Sequence, residues 1–430
     1  MRTVGYGGAA WRRWIAALPR SGAPRPGVQR AVAAIVREVR RGGDDALVRL
    51  TARLDGVRLT SRQLRVAPAE IESLARKADP RVVAALRAMA RRIEAFHRRQ
   101  LAPGFRMKLR DGSVLEEAVR PIASAGLYVP GGAGAYPSSV LMNTIPARVA
   151  GVGRLVVVTP PRTLEMNPAV AAAILVAGVE GLVFRVGGAQ AVAALAYGTR
   201  TIPAVDKIVG PGNAYVAAAK RLVRGQVEID TEAGPSEVAV LADATADAGW
   251  VAADLLAQAE HGSGDETVVL VTTSRELAAE VVRLVGEGLG SVANTARARQ
   301  AVRRHGAVVV VRDLAEGVAA VNALAPEHVE VVTRNASGVA RKIVGGAVFV
   351  GPWAPVAVGD YGVGPNHVLP TGGGARFASG LSVRDFQHRQ SVVTLTREGL
   401  ARIAEGVVRV AAAEGFRGHA QSVLTRFEGV

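Results

Sequence analysis

The chain has no cysteine among its 430 residues, which excludes disulfides, thiolate nucleophiles and thiolate-bound metals. Any metal it binds must be held through nitrogen and oxygen. Lysine is scarce: Lys77, Lys108, Lys207, Lys220 and Lys342 are the only five among 53 basic residues, leaving 48 arginines. Aromatics make up 4% of the chain, little on which to stack the bases of a single-stranded nucleic acid. No uncharged apolar run reaches the roughly 18 residues that a membrane-spanning helix needs, and the richest, PAVAAAILVAGV, stops at Glu180. After Arg12 and Arg13 comes IAALPRSGAPRP, where a secretory signal needs an apolar core and a cleavage site, so a cytoplasmic protein without membrane association is expected.

What is present fits a globular protein of two or more domains: 49% of the residues are hydrophobic and 21% charged. The formal charge of +16 invites a nucleic-acid reading, since neutralising phosphate is what such a surplus does well. The basic residues are nevertheless spread out. In RRWIAALPR, MARRIEAFHRR and ARARQAVRRH they alternate with apolar residues at helical spacing, the pattern of solvated helix faces.

The first hundred residues read as helices, VQRAVAAIVREVRR and GDDALVRLTARLDG, then PAEIESLARKA and DPRVVAALRAMARRIEAFHRRQ. From residue 120 short β-branched runs alternate with Ala-rich ones: GLYVP, SSVLMNTIPARVAGV, RLVVVTPP, PAVAAAILVAGV, GLVFRVGG, AQAVAALAYGT, DKIVGPGN. A second such series starts near residue 236 with SEVAVLAD and runs through HVEVVT. This rhythm predicts βαβ units on parallel sheets, in two α/β halves. The Gly/Pro-rich stretch 345–380 has little periodicity and is expected to be loop, and a helical tail follows Arg397.

Two glycine loops resemble strand-to-helix turns able to accept a phosphate. GLYVPGGAGAYPSS offers Gly132 and Gly134, and GPGNAYVAAAK offers Gly210 and Gly212, but neither has the third glycine of a dinucleotide fingerprint. Taken singly, each reads as a tight turn rather than a cofactor loop, and only their place in consecutive βα units favours the latter. Of the seven histidines, His97 and His305 sit among arginines near helix ends and are assigned to solvent, and His388 in RDFQHRQ to a surface helix. Gln258 and His261 in DLLAQAEHG are three apart, one turn on one helix face, a spacing that suits a metal or nothing at all. Asp360 and His419 could complete a ligand set, though no local spacing links them. Glu327 and His328, adjacent in APEHVEVV, suit general acid–base work near neutral pH, or form an exposed polar pair opening a strand.

Taken together, GLYVPGGAGAYPSSVLMNTIPARVAGV, VGGAQAVAALAYGT, DKIVGPGNAYVAAAKR, DTEAGPSEVAVLAD, DLLAQAEHG, APEHVEVV, GDYGVGPNHVLPTGG, SGLSVRDFQ and AAAEGFRGHAQSV resemble the histidinol dehydrogenase family, in the family's order from about residue 120 to the C-terminus. The resemblance implies an enzyme that oxidises L-histidinol to L-histidine in two NAD-dependent steps through a bound aldehyde. It implies one zinc per active site, held by Gln258, His261, Asp360 and His419, the last supplied by the partner protomer, with the metal orienting the substrate's imidazole and amino nitrogens. By the same resemblance His328 would take the alcohol proton, and Glu327 would activate the water that hydrates the aldehyde. Ser236 and Glu414 match substrate contacts, His367 lines the site, and Tyr128, Gln190 and Asn213 match NAD contacts. The implied fold is two incomplete Rossmann-like domains plus two small segments from the chain ends, in an intertwined homodimer with shared active sites. On that pattern 25–129 with 236–380 form the domain carrying most of the site and 130–235 the NAD-binding domain. Residues 1–24 with 381–405 form a small helical domain, and 406–430 reach the partner. GSGDE after His261, RDFQHRQ and the first hundred residues depart from the family pattern. Two other readings stand beside it: a related zinc and NAD enzyme acting on a polyol such as sulfopropanediol, and a nucleic-acid-binding protein on an inactive dehydrogenase fold. Glu414 favours an ammonium over a sulfonate.

Overall fold

The Ala-rich and β-branched runs fold as the βαβ rhythm requires, into two six-stranded sheets whose central strands are buried along their length. The computed structural model describes residues 1–19, 26–131, 136–231 and 234–428, so Gly132 and Gly134 of the first glycine loop lie outside the described residues. The chain forms two units, Met1–Gln100 with Ile122–Phe386 and Leu101–Pro121 with Gln387–Val430.

In the first unit, one sheet runs in the order Arg65–Val66, Val183–Arg185, Arg154–Thr159, Ser124–Tyr128, Lys207–Val209, Glu228–Ile229, parallel except at the antiparallel first pair. The other runs Arg2–Gly5, Ala307–Val310, Thr267–Thr272, Glu237–Ala242, His328–Val332, Ala347–Val350 and is parallel throughout. Strands such as TVVLVT and EVAVLA are apolar on both sides because helices cover both faces of a parallel sheet. The helix Pro168–Ala177 is apolar all round for the same reason, being sandwiched between neighbours.

The helix Ala248–Ala259 starts at Asp247, whose side chain accepts the Trp250 N–H at 3.0 Å. Its 12 residues span about 18 Å, close to the roughly 20 Å of the preceding six-residue strand. The helix therefore starts beyond the carboxyl edge of the sheet and delivers its last turn, with Gln258, back at the amino edge.

The second unit pairs Gln387–Thr394, Val114–Pro121 and Phe105–Lys108 in an antiparallel sheet, followed by the helices Arg397–Ala413 and Arg417–Leu424.

Several expectations are corrected. Strands Arg65–Val66 and Ser124–Tyr128, from the segment 25–129, belong to the sheet of 130–235 rather than to that of 236–380; the fully buried run SAGLY needs two parallel partners and finds them at Arg154–Thr159 and Lys207–Val209. Residues 2–5 are not part of a helical domain with 381–405 but an edge strand on Ala307–Val310, and 387–394 form a strand with 114–121. His388 is thus an exposed strand residue, not helical. The predicted loop 345–380 contains the strand Ala347–Val350 and the helix Val356–Tyr361, both too short for their period to register. The first two predicted helices run on as Pro26–Leu54, broken in conformation at Gly43, whose φ is 49°.

Candidate active site

The amino edge of the second sheet gathers most of the expected chemistry. Val238 and His328 are paired neighbours, so Ser236 and Glu327, one residue ahead of each strand, come side by side. Glu327 accepts the Glu237 N–H at 3.1 Å and a hydrogen bond from the Ser236 side chain. Glu237 turns its own carboxylate to the Gly372 N–H at 3.0 Å, fastening the loop that carries residues 366–372. Glu327 and His328 are 6% and 3% exposed, with Oε2 and Nδ1 3.8 Å apart. Burial pushes the Glu327 carboxyl well above the usual carboxylate range, and the nearby carboxylates of Glu237 and Asp360 add to this. Burial pushes His328 down to about 4, with Asp360 opposing and His261 assisting, so the ring is neutral at physiological pH. Its Nδ1 has no hydrogen-bond partner among the described residues.

Two cavities flank the helix Val356–Tyr361. One, of about 420 Å³, is lined by His328 and His367 with Phe349, Asn366 and Gln100. The other, of about 300 Å³, is lined by Gln258, His261 and Asp360 with Tyr136, Ser138 and Asn294. Asp360 joins them, 3.6 Å from His367 Nδ1. Burial works to raise the Asp360 carboxyl, but the hydrogen bond and charge of His367, then His328 and His261, prevail and hold it below its ordinary value. Gly359 explains how Asp360 gets so close: a Cβ there would lie 2.5 Å from the Phe349 ring, so only glycine lets this helix settle on the strand Ala347–Val350.

The residues around the cavity of Gln258 form a donor set suited to a metal. Gln258 is 2% exposed, yet among the described residues neither its Oε1 nor its Nε2 has a hydrogen-bond partner, a costly state for a buried amide. It sits in the last turn of a helix, where the backbone dipole favours a cation, with an exposed His261 and a depressed Asp360 on the same cavity. Nitrogen and oxygen donors so arranged fit Zn²⁺ in a thiolate-free chain. Among the described residues no group of three or more His, Asp or Glu closes on its own into a metal site. Glu414 and His419 lie in the second unit, both exposed, beside and on the helix Arg417–Leu424.

Tyr128, Gln190 and Asn213 all fall at the carboxyl ends of strands in the first sheet. Tyr128 and Asn213 flank the point where the strand order reverses, the usual place for a nucleotide in an open parallel sheet. The Tyr128 hydroxyl accepts the Gly188 N–H at 3.0 Å, and burial pushes it up to about 12. Gln190 donates to Asp55 at 3.2 Å. Asn213 caps the helix Ala214–Val223, accepting from the Tyr215 and Val216 N–H groups. Gly210, at φ 116°, crosses so close to Tyr128 that a Cβ would lie 2.2 Å from its carbonyl oxygen.

Sequence reasoning missed several contributors. Ser139 reaches His367 Nε2 at 3.4 Å, and Asn366 donates to the Met142 carbonyl at 2.7 Å, pinning the His367 loop to the helix Pro137–Ala150. Nothing local marks either one. His97, assigned to solvent, is fully buried, its Nδ1 2.7 Å from Gln100; the run of arginines around it hid the one turn that faces inward. His305 is likewise mostly covered, beside Asp265.

The sequence model of the family described as histidinol dehydrogenase matches residues 18–427. The histidinol dehydrogenase of Syntrophotalea carbinolica is 46% identical over 416 residues, covering 96% of each chain. That of Rhodospirillum rubrum is 48% identical over 401 residues, 93% of this chain and 92% of its own. The crystal structure of histidinol dehydrogenase from Elizabethkingia anophelis superposes with a TM-score of 0.92 at 34% identity, covering 100% of this chain and 98% of the other. Sequence likeness and architecture agree along essentially the whole length, and the chain belongs to the histidinol dehydrogenase family.

Proposed function

We propose that the protein oxidises L-histidinol to L-histidine, with NAD⁺ as the hydride acceptor in both steps, in histidine biosynthesis in the cytoplasm. The observation that carries this reading is the buried Glu327–His328 pair beside a cavity holding Gln258, His261 and Asp360, in a chain of this family.

Zinc would be held by Gln258, His261 and Asp360 together with His419 of the partner subunit, in a homodimer with one metal per active site. Bound there, it supplies orientation, fixing the imidazole and amino nitrogens of the substrate so that its hydroxymethyl group faces the reacting pair. Glu414, Ser236 and His367 complete the substrate contacts, and Tyr128, Gln190 and Asn213 the NAD contacts.

His328, kept neutral by burial, accepts the hydroxyl proton as the carbinol hydride departs. The resulting aldehyde has no second hydride to give until water adds to it. Glu327, made strongly basic by its buried setting whenever it is ionised, draws a proton from that water, and the Ser236 and Glu237 hydrogen bonds keep its carboxyl aimed. The hydrate, one proton already given to Glu327, then loses a third proton to His328, which has passed its first to solvent, and the second hydride to NAD⁺, giving the carboxylate.

The test is NADH formed per histidinol consumed. Two NADH per histidinol, lost on chelation and restored by Zn²⁺, is expected; equal or faster turnover of a sulfonated diol would overturn the choice of substrate.

A further inference from the structure

Behind the metal-lining cavity lies a second pair of carboxyl groups with no part in the reaction just derived. Glu330 is 1% exposed on the strand His328–Val332, two residues after His328 and therefore on the same face of the sheet. Its Oε1 accepts the Val356 N–H at 2.6 Å, at the first residue of the helix that carries Asp360. Its Oε2 is buried with no donor among the described residues. Asp254 interacts with it side chain to side chain and lines the same small cavity. Asp254 sits on the helix Ala248–Ala259, four residues before Gln258 and so on the same helix face.

One pair of side chains therefore touches three elements that present the site: the helix whose last turn carries Gln258 and which leads into the turn of His261, the strand of His328 and the helix of Asp360. Two carboxylates this close in a buried setting cannot both be ionised. Burial, then the Asp254 charge, pushes Glu330 up to about 8, so at neutral pH it carries the proton that a hydrogen bond to Asp254 requires.

We propose that Asp254 and Glu330 are positioning residues for the metal, locking the helix Ala248–Ala259, the strand His328–Val332 and the helix Val356–Tyr361 into one block that fixes Gln258, His261 and Asp360 relative to His328. The proposal rests on the zinc reading above.

The experiment compares zinc affinity, by competition with a chromophoric chelator, and steady-state kinetics in the wild-type protein and three variants. Glu330→Leu keeps the volume but leaves the Val356 N–H unpaired; it is expected to weaken zinc roughly 10–100-fold and lower kcat, with the KM for NAD⁺ unchanged. Glu330→Gln can still accept from Val356 and donate to Asp254, and is expected to hold zinc within about threefold of wild type, well inside that range. Asp254→Ala cuts only the tie to the helix of Gln258 and is expected to weaken zinc in the same sense, a readout that stands even if Glu330→Leu fails to fold. Unchanged zinc affinity in Asp254→Ala, or a Gln variant as impaired as the Leu variant, overturns the proposal. Failure of the wild-type protein to bind one zinc per active site would instead overturn the reading beneath it.

Discussion

At the scale of single residues, the proposed roles divide the labour between Glu327 and His328. His328→Asn is expected to lower the rate of alcohol oxidation by about 10²–10⁴-fold, and Glu327→Gln to slow chiefly the oxidation of added histidinaldehyde. Loss of metal alone in both variants would refute the assignment. The same histidine carries a pH signature. A folded-state value near 4 lies below the roughly 6.5 of an unfolded histidine, so the folded protein resists protonation there. Its contribution is intact above about pH 6.5 and is lost progressively as pH falls toward 4, on the order of 3 kcal/mol in all. Urea midpoints of the zinc-free protein at pH 7 and pH 4.5 should differ less in His328→Asn than in the wild type. Gly210→Ala sets a Cβ against the Tyr128 carbonyl from a left-handed backbone; a loss on the order of 3 kcal/mol in urea unfolding is expected. The Glu-His adjacency was legible in sequence because neighbours in sequence stay neighbours in space. The burial of His97 and the orphaned amide of Gln258 were not, since both depend on which turn of a helix meets a partner far away in the chain.

At the scale of elements, the candidate residues of the two sheets lie at opposite edges. The residues matching NAD contacts sit at the carboxyl edge of the first, where parallel sheets commonly bind nucleotides, whereas Glu327, His328 and Ser236 sit at the amino edge of the second. The carboxyl edge at the second sheet's own crossover is closed by Asp243, whose carboxylate accepts the Arg334 and Thr245 N–H groups. The βαβ rhythm made both sheets readable, but not which edge would be functional, because that turns on how far a helix runs back before it stops. Behind the second glycine loop, Lys220 donates to the carbonyls of Gly210 and Thr231 at 3.0 and 3.3 Å and pairs with Asp230, both side chains all but fully buried. Lys220→Met strands Asp230 without its counter-ion and is expected to cost about 3–5 kcal/mol, with Lys220→Met/Asp230→Asn recovering much of it in denaturant melts.

At the scale of the whole molecule, part of the surplus of arginine is spent on its own helices. Arg98, Arg283, Arg402 and Arg409 each pair with a glutamate four residues away on an exposed helix face. Any binding to duplex DNA at low salt is therefore expected to vanish as salt rises to physiological levels, in a filter-binding titration. A dimer with shared sites makes a sharper prediction: mixing inactive His419→Ala and inactive His328→Asn subunits after mild dissociation should restore activity, because one composite site per mixed dimer is then intact. The edge strand Arg2–Gly5, with Trp11 and Trp14 packed behind it, pairs with Ala307–Val310, about 300 residues further along. At roughly 5–20 residues per second of synthesis, that separation takes on the order of 15–60 seconds to bridge. For that interval the emerging chain holds out two tryptophans and an unpaired strand, which makes its beginning a ready client for a ribosome-associated chaperone and ties the yield of native protein to the pace of translation.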